Sequence, residues 1–236
     1  MLKLNLQLFG GRGASSASGG GGGGIPNAGG TINYQPLTNQ EVSDMIDEMD
    51  DIYDINTKLA IKQYISAANT GNGYSMAQNL NHALETGGKL NANEQYMDTK
   101  LTAAMHDLGK DTLLNRGAHA DVLTTLGLSN YSKMSDSQLN AALTGASFKT
   151  KSYTSTSYDI TKNPFLSGSQ SGGREVVMNI KAKSSTKCVF GARSQTEVIL
   201  AKGTTFKVTG ARFTGQTVYP RTGGAFKQVM LDIEVE

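Results

Sequence analysis

A glutamine and a glutamate stand two positions apart at the start of an apolar run in RSQTEVIL, residues 193–200. The run at residues 198–200 is β-branched and aliphatic, which is typical of a strand buried on both faces. Residues two apart on a strand point to the same side, so Gln195 and Glu197 project into one cleft if the preceding segment is extended. Glu197 is then either the solvated end of a strand or a catalytic carboxylate at the edge of a cleft.

Two further short motifs carry groups that could act with this pair. LLNRG at residues 113–117 holds Arg116, whose guanidinium fork can bind phosphate oxygens bidentately. YTSTS at residues 153–157 places three hydroxyls in a predicted strand. Taken singly, these are an arginine in a surface loop and ordinary strand hydroxyls, so their meaning depends on the three-part set.

In this order, the three motifs resemble the arginine, Ser-Thr-Ser and Gln-x-Glu motifs of mono-ADP-ribosyltransferases of the clostridial exoenzyme type. The flanking stretches AIKQYIS, LNHALETG, GASFKTKSYTSTS and SQTEVILAKGTTFKV are also similar, and the resemblance covers residues 38–236. It implies an α+β fold in which N-terminal helices pack on a two-sheet β-sandwich core. NAD+ would bind as a co-substrate in the cleft between them.

The resemblance implies a role for each motif residue. Glu197 would hydrogen-bond the nicotinamide ribose 2′-hydroxyl and stabilise the positive charge of an oxocarbenium-like transition state. Ser155 would orient Glu197 and brace the nicotinamide pocket, with Thr156 lining the adjoining strand. Arg116, followed by Gly117, would bind the pyrophosphate.

The residues before Glu197 indicate which type of protein side chain would accept ADP-ribose. Gln195 has a neutral amide, which suits an amide or hydroxyl acceptor better than a cation. In the family, glutamine here accompanies modification of asparagine, glutamine or threonine, whereas glutamate accompanies arginine. We therefore expect a non-arginine acceptor on a host protein, with Phe190 and Arg193 in the preceding turn as further contacts to it.

The sequence departs from the family pattern at two places. Phe165 and Arg174 match an aromatic residue that stacks on nicotinamide and an arginine that meets phosphate, but LSGSQSGG separates them more widely than usual. Asn81 matches an asparagine near NAD+, yet Glu85 stands where relatives often place a phosphate-binding arginine. One phosphate contact is then missing, unless Lys89 or another cation substitutes.

The chain divides into a leader and two halves of different character. Thr38-Asn39-Gln40-Glu41 has the form of a capping box, and the following apolar residues recur at helical spacing with acidic residues between them. That acidic set favours a solvated helix face over a metal site. The predicted divisions are a leader at 1–37, a mainly helical part at 38–146 and a mainly strand part at 147–236. Further helices are predicted at 57–67, 75–84, 93–106, 118–126 and 136–143.

The leader combines an unusual start with a Gly/Ser tract that behaves as a flexible tether. MLKLNLQLFGGRG resembles the start of head and scaffold proteins from phages of Gram-positive bacteria. This implies a phage-encoded protein located in the virion or the host cytoplasm, with phage capsid proteins as partners of the leader. The first apolar stretch is short and interrupted by Asn5 and Gln7, so we predict no signal peptide and no membrane span.

Composition and residue spacing argue against nucleic-acid binding, two common nucleotide-binding folds and a metal site. A formal net charge of +2 does not predict nucleic-acid binding. Strands and helices do not alternate, and no Gly-rich phosphate loop opens a helix, so a Rossmann or P-loop site is not expected. The three histidines have no metal-ligand spacing with Cys or carboxylates, so no metal is predicted. Cys188, the single cysteine, is expected to be a reduced, structural thiol.

Two other functions remain open at this point. The first is an NAD glycohydrolase, in which water replaces the protein acceptor while the donor site is the same. The second is a catalytically silent phage structural or interaction protein that keeps the fold.

Overall fold

The computed structural model describes residues 34–66, 68, 70–159, 174–191, 196–219 and 224–236. The α+β class is confirmed, because helices pack against a large sheet formed mostly by the second half of the chain. The first half holds the six described helices and also two strands, β1 (His106–Asp107) and β2 (Thr112–Ala118). Strand β2 carries the LLNRG motif and is almost entirely buried.

Helix α1 begins at the predicted capping box. Thr38 Oγ1 accepts a hydrogen bond from the backbone N–H of Glu41 at 3.2 Å, and Glu41 Oε2 accepts one from Thr38 N at 2.7 Å. The acidic residues of α1 that follow the capping box are exposed, as a solvated face requires: Asp44, Asp47, Glu48, Asp50 and Asp51. No described helix has both the length and the apolar character needed to cross a membrane. The helices are α1 (Asn39–Ile52), α2 (Ile55–Ile65), α3 (Met76–Thr86), α4 (Ala92–Ala104), α5 (Asp121–Thr125) and α6 (Asp136–Leu143), with a 3-10 turn at Tyr131–Lys133.

The described strands form one nine-stranded sheet in the order β1-β6-β7-β4-β2-β5-β9-β8-β3. Strands β7, β4 and β2 are neighbours, so the Glu, Ser-Thr-Ser and Arg motifs lie side by side although they are far apart in sequence. Strands β5 and β9 pair in parallel, whereas the other strand pairs are antiparallel. The remaining strands are β3 (Ser147–Lys149), β4 (Thr154–Ser157), β5 (Val176–Ala182), β6 (Lys187–Phe190), β7 (Glu197–Leu200), β8 (Thr205–Val218) and β9 (Phe226–Val235).

The strand pairing fits the expected two-sheet core. The groups β1-β6-β7-β4 and β2-β5-β9-β8-β3 each pair internally over two or more residues per neighbour, whereas β4 and β2 are joined at the single pair Asn115 and Ser157. Register shifts in β8 interrupt its pairing with β9 at Val208/Gly210 and at Phe213/Thr217. Such irregularities bend a strand and increase its twist.

Two apolar clusters hold the layers together. The larger one packs α1, α5 and α6 against most of the sheet and includes Cys188, whose burial raises the pKa of its thiol to about 12. The smaller cluster packs α2, α3 and α4 against β7 and the entry to β4, through Tyr64, Leu80, Tyr153 and Ile199. Ile199 shares its side of β7 with Glu197, two residues before it. The carboxylate therefore faces the helical layer.

Residues just before the predicted boundary at residue 38 contact the rest of the protein. Gln35 forms a parallel bridge with Thr112, and Leu37 is only 4% exposed within the larger cluster. Residues 1–33, which hold most of the predicted leader, lie outside the described ranges.

Glu85, the departure from the family pattern, ties helix α3 to the segment that leads into β4. Its Oε1 accepts hydrogen bonds from the backbone N–H groups of Lys151 and Ser152 at 3.2 and 3.1 Å, and from Ser152 Oγ at 2.5 Å. An arginine could not accept any of these bonds. Glu85 therefore has a structural function, which is to position the Ser-Thr-Ser strand.

We expect Glu85→Ala to lower the free energy of unfolding by about 1–3 kcal/mol, because a partly buried acceptor of three hydrogen bonds is removed. Glu85→Gln keeps one acceptor oxygen and should lose less. Chemical denaturation measures both, with Glu48→Ala as the control because Glu48 is exposed on α1. Equal stability of Glu85→Ala and Glu48→Ala would contradict the structural role.

Candidate functional site

Glu197 is the first residue of β7 and its side chain is almost completely buried. It pairs with Ser157 of β4 and has a relative exposure of 8%. Burial raises the pKa of Glu197 to about 7, while the Ser155 hydroxyl and the positive charge of Arg116 act to lower it. This carboxyl is therefore neither a solvated strand end nor a neutralised ion pair, and it titrates near neutral pH.

The backbone turns sharply just before this carboxylate. Thr196 has a φ of 52°, and it is the one described residue other than glycine with positive φ. A β-branched residue in this region is strained, and such strain is found chiefly at functional sites. Bonds to the neighbouring strand hold it there: its Oγ1 lies 2.8 Å from Ser157 Oγ, and its carbonyl accepts from Tyr158 N at 3.1 Å.

The turn at Thr196 concerns the condition under which Gln195 and Glu197 would share a side. That prediction required an extended segment before β7, and residue 196 has left-handed rather than extended backbone. Strand alternation therefore does not apply across it. Gln195 itself lies outside the described residues, so its pairing with Glu197 stays a prediction.

Gly191 touches the Glu197 side chain from the other side. A Cβ at position 191 would lie 3.0 Å from Glu197 Cβ and 3.1 Å from Oε2. Gly191 N also donates to the Glu197 carbonyl at 2.8 Å. The absence of a side chain at position 191 thus sets the space in which the carboxylate sits.

The three hydroxyls of the Ser-Thr-Ser strand make different contacts. Thr156 Oγ1 donates to the Val198 carbonyl at 2.7 Å, which joins β4 to β7. Ser155 Oγ is buried and has no hydrogen-bond partner of normal geometry in the described part of the chain, although it lies close enough to lower the pKa of Glu197. Ser155 is consequently the hydroxyl of the three that is best placed to complete its bonding with a bound molecule.

Arg116 reaches this group from β2 and is 2% exposed. One Nη donates to the Ser155 carbonyl at 2.5 Å, while Nε has no partner among the described residues. Burial lowers the pKa of Arg116 to about 10, and the charge of Arg174 lowers it further, while Tyr64 and Glu197 raise it. Arg116 therefore braces β4 directly, and its predicted contact with pyrophosphate stays a prediction. Gly117, next to it, pairs with Val177 in the sheet.

Asn81 and Tyr64 support the site from the helical layer. The Asn81 amide donates to Tyr64 Oη at 2.9 Å and to the Tyr153 carbonyl at 3.2 Å, and it accepts from Tyr153 N at 3.3 Å. Asn81 therefore has its hydrogen-bond partners within the protein, and one of them, Tyr153, precedes Ser155 by two residues. Burial raises the pKa of Tyr64, and the negative charge of Glu197 raises it further. Sequence reasoning missed Tyr64, because nothing in AIKQYIS distinguishes a site residue from a helical core residue.

The other predicted residues are placed less centrally or are not placed. Phe190 is 6% exposed and stacks on His106 with ring centroids 5.5 Å apart, so most of its surface packs inside the protein. Arg174 lies just before β5 and contacts His119. Phe165 and Arg193 lie outside the described residues. No group of three or more His, Cys, Asp or Glu side chains in the described ranges is arranged to hold a metal ion.

A groove of about 200 Å³ lies between α1 and α2. Its lining combines apolar residues such as Ile46, Met49 and Ile61 with charged and polar ones, and it includes Phe190 and Gly191. Gly191 therefore belongs both to this lining and to the surroundings of the Glu197 side chain.

Comparison with known proteins identifies the family. The profile of the ADP-ribosyltransferase exoenzyme family matches residues 31–223, which is most of the chain. No relative is found among curated protein sequences.

Solved structures give the same fold. Plx2a, an ADP-ribosyltransferase toxin from Paenibacillus larvae, matches with a TM-score of 0.60 at 15% identity, over 84% of this chain and 96% of its own. The C3 exoenzyme from Clostridium limosum matches with a TM-score of 0.56 at 16% identity, over 87% and 98%. C3stau2 from S. aureus, solved with NAD, matches with a TM-score of 0.57 at 18% identity, over 87% and 98%.

The order of the three motifs, their meeting on adjacent strands and the match of the family profile agree with one another. The chain belongs to the ADP-ribosyltransferase exoenzyme family and is an NAD-dependent transferase.

Proposed function

We propose that this enzyme transfers ADP-ribose from NAD+ to an asparagine, glutamine or threonine side chain of a host protein. The observation that carries the proposal is the buried Glu197 carboxylate beside Ser155 and Arg116, with a pKa raised to about 7. Two buried donors lie in the same region: Arg116 Nε, which has no partner among the described residues, and Ser155 Oγ, which acts on the Glu197 carboxylate without a hydrogen bond of normal geometry. A hydroxyl-rich pyrophosphate compound supplies the acceptors that such donors need.

The reaction breaks the bond between the nicotinamide nitrogen and ribose C1′, and the bonding electrons leave with nicotinamide. Positive charge develops on the ribose, as in glycoside cleavage. Glu197 stabilises this charge, and its position is fixed before the reaction by Gly191, by the turn at Thr196 and by the neighbouring strands. The acceptor atom then bonds to C1′ and releases its proton.

The preference for a non-arginine acceptor rests on Gln195. A neutral amide can donate to and accept from another amide or a hydroxyl, but it offers no charge to offset a guanidinium. The groove between α1 and α2 supports a protein acceptor, because its lining includes Gly191, which lies against Glu197, and its apolar and charged side chains could contact a partner.

The start of the chain supports a further part of the proposal, in which the enzyme is carried in a phage head and delivered to the host with DNA. The support is the resemblance of MLKLNLQLFGGRG to phage head proteins. Mass spectrometry of purified particles tests it: peptides of this chain are expected, and particles without them would remove the idea.

Transfer is tested by incubating the purified protein with labelled NAD+ and a Gram-positive bacterial lysate. Labelled protein bands that excess unlabelled NAD+ abolishes are expected, and mass spectrometry should locate ADP-ribose on Asn, Gln or Thr. Modified arginine would contradict the acceptor assignment. Nicotinamide release without labelled bands, even with lysates of other hosts, would favour an NAD glycohydrolase, and the absence of both signals would favour a silent protein.

The raised pKa of Glu197 predicts how activity depends on pH. The charged carboxylate is the active form, so kcat/KM for nicotinamide release should be full above about pH 7 and fall as pH drops through that value. Glu197→Gln should retain little activity and show no such inflection. A constant kcat/KM between about pH 5 and about pH 9 would contradict the assigned role.

Gly191→Ala should impair catalysis without unfolding the protein. The new Cβ would meet Glu197 Cβ and Oε2 at about 3 Å, so the carboxylate must move. Relief of this contact needs a shift of a few tenths of an ångström. Because a displacement of about 1 Å in a reacting geometry costs on the order of 10²-fold in rate, we expect a smaller loss of kcat for nicotinamide release, on the order of a few-fold. Gly88→Ala is the matched control, because a Cβ there meets its nearest atom at an ordinary 3.5 Å. Equal kcat values for the two variants would refute the positioning role of Gly191.

A further inference from the structure

The carboxylate of Asp98 on α4 contacts residues next to both strands that carry the site. Tyr153 Oη donates to Asp98 Oδ1 at 2.9 Å, and Lys202 Nζ lies 2.7 Å from each of the two carboxylate oxygens. Tyr153 directly precedes β4, whereas Lys202 follows the last residue of β7 by two positions. Asp98 therefore connects the helical layer to the entry of one strand and to the exit of the other.

The hydrogen bonds of the Tyr153 hydroxyl follow from the chemistry of its partners. Tyr153 is 2% exposed, and burial raises the pKa of its hydroxyl, which therefore stays protonated. Because a carboxylate can only accept, the Tyr153 proton is donated to Asp98. Thr102 Oγ1 lies 2.8 Å from the same hydroxyl and can donate to its oxygen. The hydroxyl is thus held by two residues that are one turn apart on α4.

The two bonds to the Asp98 carboxylate differ in how strongly they restrain the structure. The side chain of Lys202 is 34% exposed and that of Asp98 is 18% exposed, so water competes for their ion pair. Partly exposed ion pairs contribute little to stability. A buried hydroxyl that loses its charged acceptor loses more, because water does not reach it. The bond to Tyr153 is consequently the stronger restraint.

Tyr153 connects this bond to the site. Its ring packs edge to face on Tyr64, with ring centroids 5.8 Å apart. Both rings share an apolar cluster with Ile199, which lies directly opposite Ser155 in the pairing of β4 with β7. Ser155 follows Tyr153 by two residues, and Glu197 precedes Ile199 by two. A displacement of Tyr153 would therefore change the surroundings of both Ser155 and Glu197.

We infer that Asp98 is a positioning residue that acts through the Tyr153 hydroxyl and keeps Ser155 and Glu197 in their reacting arrangement. Asp98 touches no reacting atom. The inference rests on the proposed function for the reaction that this arrangement serves. No sequence motif singles out Asp98, because its place in NEQYMDTKL, residues 93–101, is that of an ordinary polar helix residue.

Four substitutions separate the bonds of Asp98. Tyr153→Phe removes the hydroxyl and keeps the ring against Tyr64. Asp98→Ala removes the acceptor, whereas Asp98→Asn keeps one acceptor oxygen and loses the charge. Lys202→Met removes the ion pair alone and is the matched control. The readouts are kcat and KM for nicotinamide release, and the pKa of the Glu197 carboxyl from carbon NMR of glutamate-labelled protein, in which Glu197→Gln identifies the signal.

We expect Tyr153→Phe and Asp98→Ala each to lower kcat about threefold to tenfold, because a small displacement of a reacting group is costly. KM should change by less than about twofold, since the arrangement matters in the transition state rather than in binding. The double variant should lose no more than either single variant, because both remove the same bond. Asp98→Asn still accepts from Tyr153 and should keep kcat within about twofold of the wild type, as should Lys202→Met.

The NMR titration is independent of activity. Burial is the main reason that the pKa of Glu197 is raised to about 7. Tyr153→Phe and Asp98→Ala should let water reach this carboxyl, so its pKa should fall toward the ordinary range of a glutamate. Arg116 of β2 and Tyr64 of α2, which face Glu197, are unchanged in every variant. Asp98→Asn and Lys202→Met should titrate like the wild type.

Three kinetic results would overturn the inference. These are an unchanged kcat in both Tyr153→Phe and Asp98→Ala, a loss in Asp98→Asn as large as that in Asp98→Ala, and a loss of the same size in Lys202→Met. Thermal unfolding identifies a misfolded variant, and if Asp98→Ala is misfolded, the comparison of Tyr153→Phe with Lys202→Met decides. A wild type that releases no nicotinamide would defeat the proposed function. The inference would then depend on the NMR titration, and an unchanged pKa of Glu197 in Tyr153→Phe would overturn it.

Discussion

The arrangement of this protein depends on one buried carboxylate, that of Glu197, which the fold keeps beside a hydroxyl and a guanidinium. Burial of a carboxyl without a full ion pair costs free energy, and the cost appears as a pKa raised to about 7. Removing Glu197 from water strengthens its interaction with any positive charge that develops nearby. The rest of the site can be understood as the structure needed to hold that carboxylate in place.

The helical layer and the sheet share this task. Asn81 bonds simultaneously to Tyr64 on α2 and to the backbone of Tyr153, while Glu85 bonds to the two residues just before it. The entry to β4 is consequently fixed to α3 at consecutive positions. Movement of the helices would be transmitted to Ser155, and through it to the surroundings of Glu197.

Local patterns in the sequence were sufficient for the features that depend on neighbouring residues. The capping box at Thr38, the amphipathic α1 and the buried β7 follow from short-range spacing and were predicted correctly. The resemblance brought the three motifs together, and β7, β4 and β2 are indeed neighbours. The pair Asn115 and Ser157 that joins the two groups of strands was not predicted, because hydrogen bonding between distant strands leaves no trace in local composition. Contacts over long separations, such as Tyr64 with the site and His119 with Glu175, were hidden for the same reason. The left-handed backbone at Thr196 runs against the preference of a β-branched residue, so propensity predicts the opposite.

The most direct test of the central claim is the single-turnover rate of nicotinamide release by the wild type and by Glu197→Gln at saturating NAD+. The substitution keeps the size of the side chain and one acceptor oxygen, and it removes the charge. We predict a loss on the order of 10²-fold or more, because one charge-stabilising group is lost, with an unfolding midpoint that is not lowered. Equal rates would show that the buried carboxylate does not stabilise the developing positive charge, and would contradict the role assigned to Glu197.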